Sequence, residues 1–175
     1  MLLPAFNLER NFGLVPYAVV HSFAVWQLVS YMFLHGGFMH IFFNMFALYM
    51  FGTDLERQWG TREFLKFYFI AGIGAAVITF LLQVNSLVPV IGASGAIYGI
   101  LVAFAVLYPN RLVYIWFLFP IKVKYLVMIL IGLGVLASWS QHSDGIAHFT
   151  HLGGALIGYL YLKADWRLVR WLSPI

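Results

Sequence analysis

Residues 92–108, GASGAIYGILVAFAVLY, place one serine hydroxyl between glycines at the head of a continuous apolar run. His40, Asn44, His148 and His151 also lie inside apolar segments. Polar side chains are costly to bury in hydrocarbon, so a cluster of them within membrane spans indicates a functional site. The pattern therefore indicates polar chemistry carried out inside a membrane protein.

The composition is that of a membrane protein. Of the 175 residues, 63% are hydrophobic, 19% aromatic and 9% charged, and the mean hydropathy is +0.90. Soluble domains contain about 25% charged residues. The length accommodates about five or six helical spans of roughly 20 residues each. Because the chain has no cysteine, disulfides, thiolate catalysis and cysteine-ligated metal centres are excluded. We expect an all-α polytopic membrane protein with one domain over residues 1–175.

Apolar runs bounded by charge, glycine or proline predict five membrane spans. These runs lie at residues 38–53, 67–84, 94–108, 123–140 and 146–162. Residues 112–121 are apolar but contain Pro120 and precede Lys122 and Lys124, which favours a segment lying along the membrane interface. Residues 12–34 are long and apolar enough to span, but their polar residues lack helical spacing. We predict an embedded first loop there, with a sixth span as the alternative.

The basic residues predict the orientation, because Lys and Arg accumulate in cytoplasmic loops. With five spans, every Lys and Arg except Arg10 falls on one side of the membrane. They are Arg57, Arg62, Lys66, Arg111, Lys122, Lys124, Lys163, Arg167 and Arg170. The pI near 9.4 then reflects topology, and no nucleic-acid partner is expected. His40, Asn44, Ser94 and His151 fall at the extracytoplasmic end.

Three motifs resemble those of the rhomboid family of intramembrane serine proteases. HGGFMHIFFN at residues 35–44 is similar to the family's first-loop and oxyanion motif. GASG at residues 92–95, followed by Tyr98, is similar to its nucleophile motif. HLGG at residues 151–154, followed by Gly158, is similar to its histidine helix. The resemblance implies a rhomboid-like helical bundle that forms a single transmembrane peptidase domain.

The resemblance extends from Leu14 to Tyr161, with two departures. The rhomboid core has six spans, so a further span is expected before residue 1. The family's Trp-Arg pair appears as Trp26-Gln27, so the hydrogen bonds of that arginine cannot be assumed. The resemblance also implies cleavage of transmembrane substrates that carry helix-destabilising residues. The expected setting is a bacterial inner membrane, with the active site toward the extracytoplasmic side. The oligomeric state is left open.

Within this resemblance, Ser94 is the expected nucleophile and His151 the expected base, because a neutral imidazole accepts a proton near pH 7. Gly95-x3-Gly99 and Gly154-x3-Gly158 would let the two helices approach closely. Tyr98, four residues after Ser94, is expected to stack on the imidazole.

The oxyanion donors implied by the family are His40, the Asn44 amide and the Ser94 backbone N–H, with Gly92 supporting the nucleophile turn. A carboxylate is not expected beside the base, so we predict a Ser–His dyad without metal or cofactor. His148 is expected to be a packing histidine and His35 a loop donor.

Two alternatives belong to other functional classes. A catalytically silent rhomboid-like protein would bind transmembrane helices without cutting them, and the presence of both Ser94 and His151 argues against it. A metal transporter would use His35, His40, His148 and His151 as ligands. The predicted spans contain no carboxylate and show no inverted repeat, so the sequence does not favour transport.

Overall fold

The computed structural model describes residues 7–115, 118–139 and 145–165. The first loop begins with α1 (Leu8–Phe12), α2 (Pro16–His21) and α3 (Gln27–Ser30), followed by a 3-10 turn over Tyr31–Phe33. The Asn7 side chain accepts the Arg10 N–H at the start of α1, and Pro16 opens α2. These breaks show that residues 12–34 form a loop of short helices and not a continuous sixth span.

Helix α4 (Phe38–Ala47) continues through a π-helical turn, Leu48–Gly52, into α5 (Thr53–Trp59). The predicted span ended at residue 53, so this helical segment is longer than expected. At Gly60 the backbone φ is +81°, a conformation that glycine adopts without steric cost, and the chain reverses there into the next helix.

The remaining helices cover the other predicted apolar runs and form the bundle around the site, although the first of them begins at Thr61 and not at residue 67 as predicted. They are α6 (Thr61–Leu82), α7 (Ser94–Leu107), α8 (Val123–Trp139) and α9 (Gly145–Ala164). Helix α7 lies at the centre, with α6, α8 and α9 packed around it and most of its side chains buried. Helix α7, which begins at Ser94, is therefore held on several sides by its neighbours.

A β-hairpin corrects the expectation of an all-α fold. Strands β1 (Leu112–Ile115) and β2 (Phe119–Lys122) pair antiparallel between α7 and α8. Their aromatic and β-branched residues favour extended backbone. Pro120 is tolerated because a two-stranded sheet consists only of edge strands, in which a missing N–H can face away from the partner. Interfacial placement of residues 112–121 stays a prediction.

The end of the bundle opposite Ser94 carries charged and polar contacts. Arg111 lies 2.7 Å from Asp54, and the Tyr108 hydroxyl donates to Gln58 at 2.7 Å. These bonds join α5 to the C-terminal end of α7. The predicted cytoplasmic face therefore includes a connected polar surface at the far end of the helix that Ser94 begins.

One described helix, α6, is long and apolar enough to cross a membrane. A second candidate is the pair Gln27–Phe33 and Phe38–Trp59, which are bent by 98° to one another. Helix α7 has 14 residues and rises about 21 Å, less than a hydrocarbon core of about 30 Å. The five spans expected from the sequence stay a prediction.

Candidate active site

Ser94 and His151 meet across the contact between α7 and α9. The distance from Ser94 Oγ to His151 Nε2 is 2.7 Å, although the residues are 57 positions apart in sequence. Both side chains are half-buried. A neutral imidazole that carries its proton on Nδ1 can accept the serine hydroxyl proton at Nε2. The pair has the geometry of a nucleophile and its base.

Glycines let the two helix backbones touch beside this pair. A Cβ atom on Gly154 would overlap the carbonyl oxygen of Gly95, and one on Gly158 would lie 2.6 Å from the Gly99 Cα. Cβ contacts below 3.0 Å are essentially never found in proteins. No side chain fits at these positions without moving α7 from α9, so the short distance between hydroxyl and imidazole depends on the glycines.

The imidazole of His151 contacts two other rings. The Tyr98 ring lies nearly parallel to it, with centroids 4.5 Å apart and an angle of 6°. The His148 ring meets it edge-on at 6.1 Å and 78°. Tyr98 therefore covers one face of the imidazole and restricts its rotation, while His148 contacts the ring from α9 itself.

Gly92 provides space for His40 at the turn before α7. Its φ is +121°, and a Cβ atom there would lie 2.7 Å from His40 Nε2. The Gly92 N–H donates to the Tyr31 carbonyl at 2.9 Å, which anchors the turn. Both the backbone conformation and the close contact with His40 require glycine at this position.

The hydrogen bonds of His40 indicate its tautomer. Its Nδ1 accepts the Gly36 N–H at 3.3 Å, so a neutral imidazole carries its proton on Nε2. That N–H belongs to the ring atom beside Gly92, in the turn that leads to Ser94. The His35 ring packs edge-on against His40 at 5.1 Å, and its buried Nε2 has no hydrogen-bond partner among the described residues.

Asn44 lies one helical turn after His40 and is 7% exposed. Its amide nitrogen donates to the His40 carbonyl at 2.8 Å, within the same helix. A carboxamide has two N–H groups, so one remains for another acceptor. The sequence analysis expected an amide donor here but not the bond to His40, which fixes the rotation of the Asn44 side chain.

These polar groups line one cavity of about 390 Å³. The polar residues of its lining are His40, Asn44, Ser94, Tyr98 and His151, whereas most of the other lining residues are apolar side chains of α4 and α7. Leu130 is the residue that α8 contributes to the lining. The cavity is therefore apolar over most of its lining, with side-chain hydrogen-bonding groups near Ser94.

The first loop is fixed by residues that the sequence analysis did not assign to the site. Leu14 and Val90 exchange two backbone hydrogen bonds of 2.8 Å, which join the loop to the segment before Ser94. The Tyr31 hydroxyl donates to the Gly72 carbonyl at 2.8 Å, which ties the loop to α6. Tyr31 could have been found from the sequence, because a tyrosine inside an apolar segment usually needs a hydrogen-bond partner for its hydroxyl.

Gln27, where the resemblance led us to expect an arginine, forms hydrogen bonds within the first loop. It is 1% exposed, and its Oε1 accepts the Val15 N–H at 2.9 Å. Its amide donates to the Arg10 carbonyl at 2.9 Å, and the neighbouring Trp26 indole donates to the Asn11 carbonyl at 2.8 Å. The loop is therefore held together by an uncharged, buried amide.

Comparison with known proteins identifies the family. The Rhomboid domain model matches residues 22–168, so the chain belongs to the rhomboid family, whose members are membrane proteins. RHOMBOID-like protein 5 of Arabidopsis thaliana is 30% identical over 161 residues, which cover 91% of this chain and 50% of the relative. The rhomboid protease GluP of Bacillus subtilis is 37% identical over 140 residues, which cover 79% of this chain and 26% of GluP.

The chain thus spans half or less of the length of these two curated relatives. No solved structure gives a significant match. Within the described residues, no group of three or more histidine, aspartate or glutamate side chains is arranged to hold a metal ion.

Proposed function

We propose that this protein is an intramembrane serine endopeptidase that cleaves transmembrane segments near the extracytoplasmic face. The observation that carries the proposal is the 2.7 Å contact between Ser94 Oγ and His151 Nε2 in a chain of the rhomboid family. The protease GluP in the same family supports hydrolysis as the activity.

In the first step, His151 Nε2 takes the hydroxyl proton as Ser94 Oγ bonds to the scissile carbonyl carbon. The resulting imidazolium gives that proton to the leaving amine, and the C–N bond breaks to leave an acyl-serine. Water then attacks the ester carbon and transfers a proton to His151. Collapse of the second intermediate returns the proton from His151 to Ser94 and releases the new carboxylic acid, which then loses its proton to water.

The oxyanion would be stabilised by the His40 Nε2–H, the second amide N–H of Asn44 and the Ser94 backbone N–H. In serine proteases, each preorganised donor of this kind stabilises the transition state by about 3 kcal/mol. Among the described residues that line the cavity, none is a carboxylate. The stacked Tyr98 ring restricts the orientation of the base, a role that a carboxylate has in a catalytic triad.

The substrate class follows from the position of the serine. Helix α7 has only 14 residues, and the cavity around Ser94 is largely apolar, which supports our proposal that Ser94 lies below the membrane surface. A transmembrane helix hides its carbonyl groups in internal hydrogen bonds, so a cleavable segment must unwind locally. We propose substrates with glycine or proline near the outer end of their span, presented to the site within the lipid bilayer.

The decisive experiment is covalent labelling of the detergent-solubilised or liposome-embedded chain with a fluorophosphonate probe. We expect stoichiometric labelling that is lost in Ser94→Ala and His151→Ala, together with cleavage of a reconstituted transmembrane substrate. Labelling without cleavage of any transmembrane substrate would favour the silent helix-binding alternative. Absence of Ser94-dependent labelling in the folded chain would show that the proposed dyad is inactive.

A further inference from the structure

Two buried threonines join α6 to α9 directly beside the proposed dyad. Thr79 Oγ1 and Thr150 Oγ1 lie 2.8 Å apart, and the residues are 0% and 1% exposed. Thr79 Oγ1 also donates to the Ala75 carbonyl at 2.8 Å. Either threonine hydroxyl can donate in this pair, because a hydroxyl both donates and accepts. The contact links the α9 side chain to α6 through Thr79.

Thr150 also contacts the helix that carries the nucleophile. A Cβ atom on Gly95 would lie 3.1 Å from the Thr150 methyl group, so that methyl packs against α7 immediately after Ser94. The same residue therefore hydrogen-bonds to α6 and packs on α7. Its immediate neighbour in sequence is His151, whose imidazole reaches Ser94.

The two faces of α9 explain why this arrangement affects the base. Thr150 and Gly153 face α6, since a Cβ on Gly153 would lie 3.3 Å from the Ala75 Cα. His151 and Gly154 face α7. Rotation of α9 about its axis would break the threonine bond and displace the imidazole together. The glycine contact sets how close the helices are, whereas the threonine bond resists rotation.

We infer that Thr79 and Thr150 are positioning residues that set the rotation of α9 and thereby the Ser94–His151 hydrogen bond. The kinetic consequence rests on the proposed function, while the geometric consequence does not. Catalytic groups must be held within about 0.5 Å of the productive geometry, and a displacement of 1 Å can cost about 100-fold in rate. A bond adjoining both members of the pair is well placed to supply that precision.

The test is Thr150→Val, which keeps the shape and the methyl contact but removes the hydroxyl. We expect kcat to fall about tenfold with KM unchanged, and Thr150→Ser, which retains the hydroxyl, to recover most of the rate. Thr79→Val, which removes the partner hydroxyl on α6, should lower kcat by a similar factor. Thr53→Val is the matched control, because it removes a hydroxyl bonded to the Tyr49 carbonyl at the far end of the bundle.

A second readout follows the dyad without requiring proteolysis. In chain selectively labelled with ¹⁵N-histidine, the His151 signals can be assigned by their loss in His151→Ala. We expect the His151 Nε2 signal of Thr150→Val to move toward that of Ser94→Ala, which lacks the hydrogen bond. A signal unchanged from the parent protein would overturn the inference, whether or not the parent cleaves a substrate.

Leu162→Ala separates positioning from stability. Leu162 is fully buried in the second half of α9, so this truncation destabilises the same helix away from the dyad. We expect it to lower the melting temperature at least as much as Thr150→Val does. Its kcat should stay within twofold of the parent value, and the His151 signal should not shift. Equal effects of both variants on kcat and on the signal would show that the threonines have only a structural role.

Discussion

Gly154 of α9 lies against the carbonyl oxygen of Gly95 in α7 so closely that a single added carbon would overlap it. Ser94 precedes Gly95, and His151 lies one helical turn before Gly154. The close backbone contact therefore brings Ser94 and His151 within hydrogen-bonding distance of each other. The approach of two backbones, more than any one side chain, determines the geometry of the proposed site.

Gly154→Ala should therefore abolish proteolysis. The added methyl meets backbone, which cannot rotate away, so α9 must shift from α7 and the Ser94–His151 distance must increase. Overpacking of this kind costs about 1–3 kcal/mol of stability. The measurement is substrate cleavage alongside thermal unfolding in the same detergent. Gly132→Ala is the matched control, because nothing lies within 4 Å of a Cβ at that position and full activity is expected. Normal cleavage by Gly154→Ala would show that the Ser94–His151 geometry does not depend on this glycine contact.

Removal of either member of the dyad should be equally damaging. Ser94→Ala and His151→Ala are each expected to lower kcat by about 10⁴-fold or more, since members of a catalytic unit fail singly about as badly as together. His148→Ala should keep measurable activity, because His148 contacts the base only edge-on. Cleavage of a reconstituted transmembrane substrate measures all three. An inactive His148→Ala beside an active His151→Ala would reverse the assignment of the base.

Asn44→Ala should slow turnover by about 100-fold, the usual effect of losing one oxyanion donor. Ser94 should still react with a fluorophosphonate, because the Ser94–His151 contact does not involve Asn44. Labelling and cleavage rates measured on the same preparation distinguish these effects. Asn85→Ala, in the exposed loop before α7, serves as the control and should retain both rates. Loss of labelling together with loss of folding would assign Asn44 a structural role.

Gln27→Ala should lower the stability of the first loop. The change leaves the Arg10 carbonyl and the Val15 N–H without their side-chain partner, and an unsatisfied buried polar group costs about 1–3 kcal/mol. Thermal unfolding should show a lower melting temperature, and proteolysis within residues 7–30 should become faster. Gln83→Ala, at the C-terminal end of α6, is the matched control. Equal melting temperatures for the two variants would argue against a role for Gln27 in holding the loop.

Substrate cleavage should depend on local unwinding. Replacement of glycine or proline near the outer end of a cleaved span by leucine should suppress cutting, because the carbonyl groups then stay in helical hydrogen bonds. Initial rates for the paired substrates in liposomes measure the effect. Equal rates for the broken and unbroken helices would remove the unwinding requirement. Equally fast cleavage of a soluble unfolded peptide would argue against entry from the bilayer.

Local sequence determined much of the secondary structure. The apolar runs at residues 94–108, 123–140 and 146–162 predict α7, α8 and α9 to within two residues, because a membrane helix needs an uninterrupted apolar stretch. The hairpin at residues 112–122 was not predicted, since a short apolar run has no periodicity that distinguishes a strand from an interfacial segment. The motif residues could be named in advance because each motif is contiguous.

Tertiary structure alone decided which polar groups meet. The Thr79–Thr150 bond joins residues 71 positions apart, and Gln27 reaches backbone groups 12 to 17 positions away. The sequence shows that these residues are polar within apolar surroundings. Each of them therefore needs a hydrogen-bond partner when it is buried. It does not show the rotation of each helix or the path of the loop. Those depend on how glycines, methyl groups and rings pack across the whole bundle, and that packing sets the distance between Ser94 and His151.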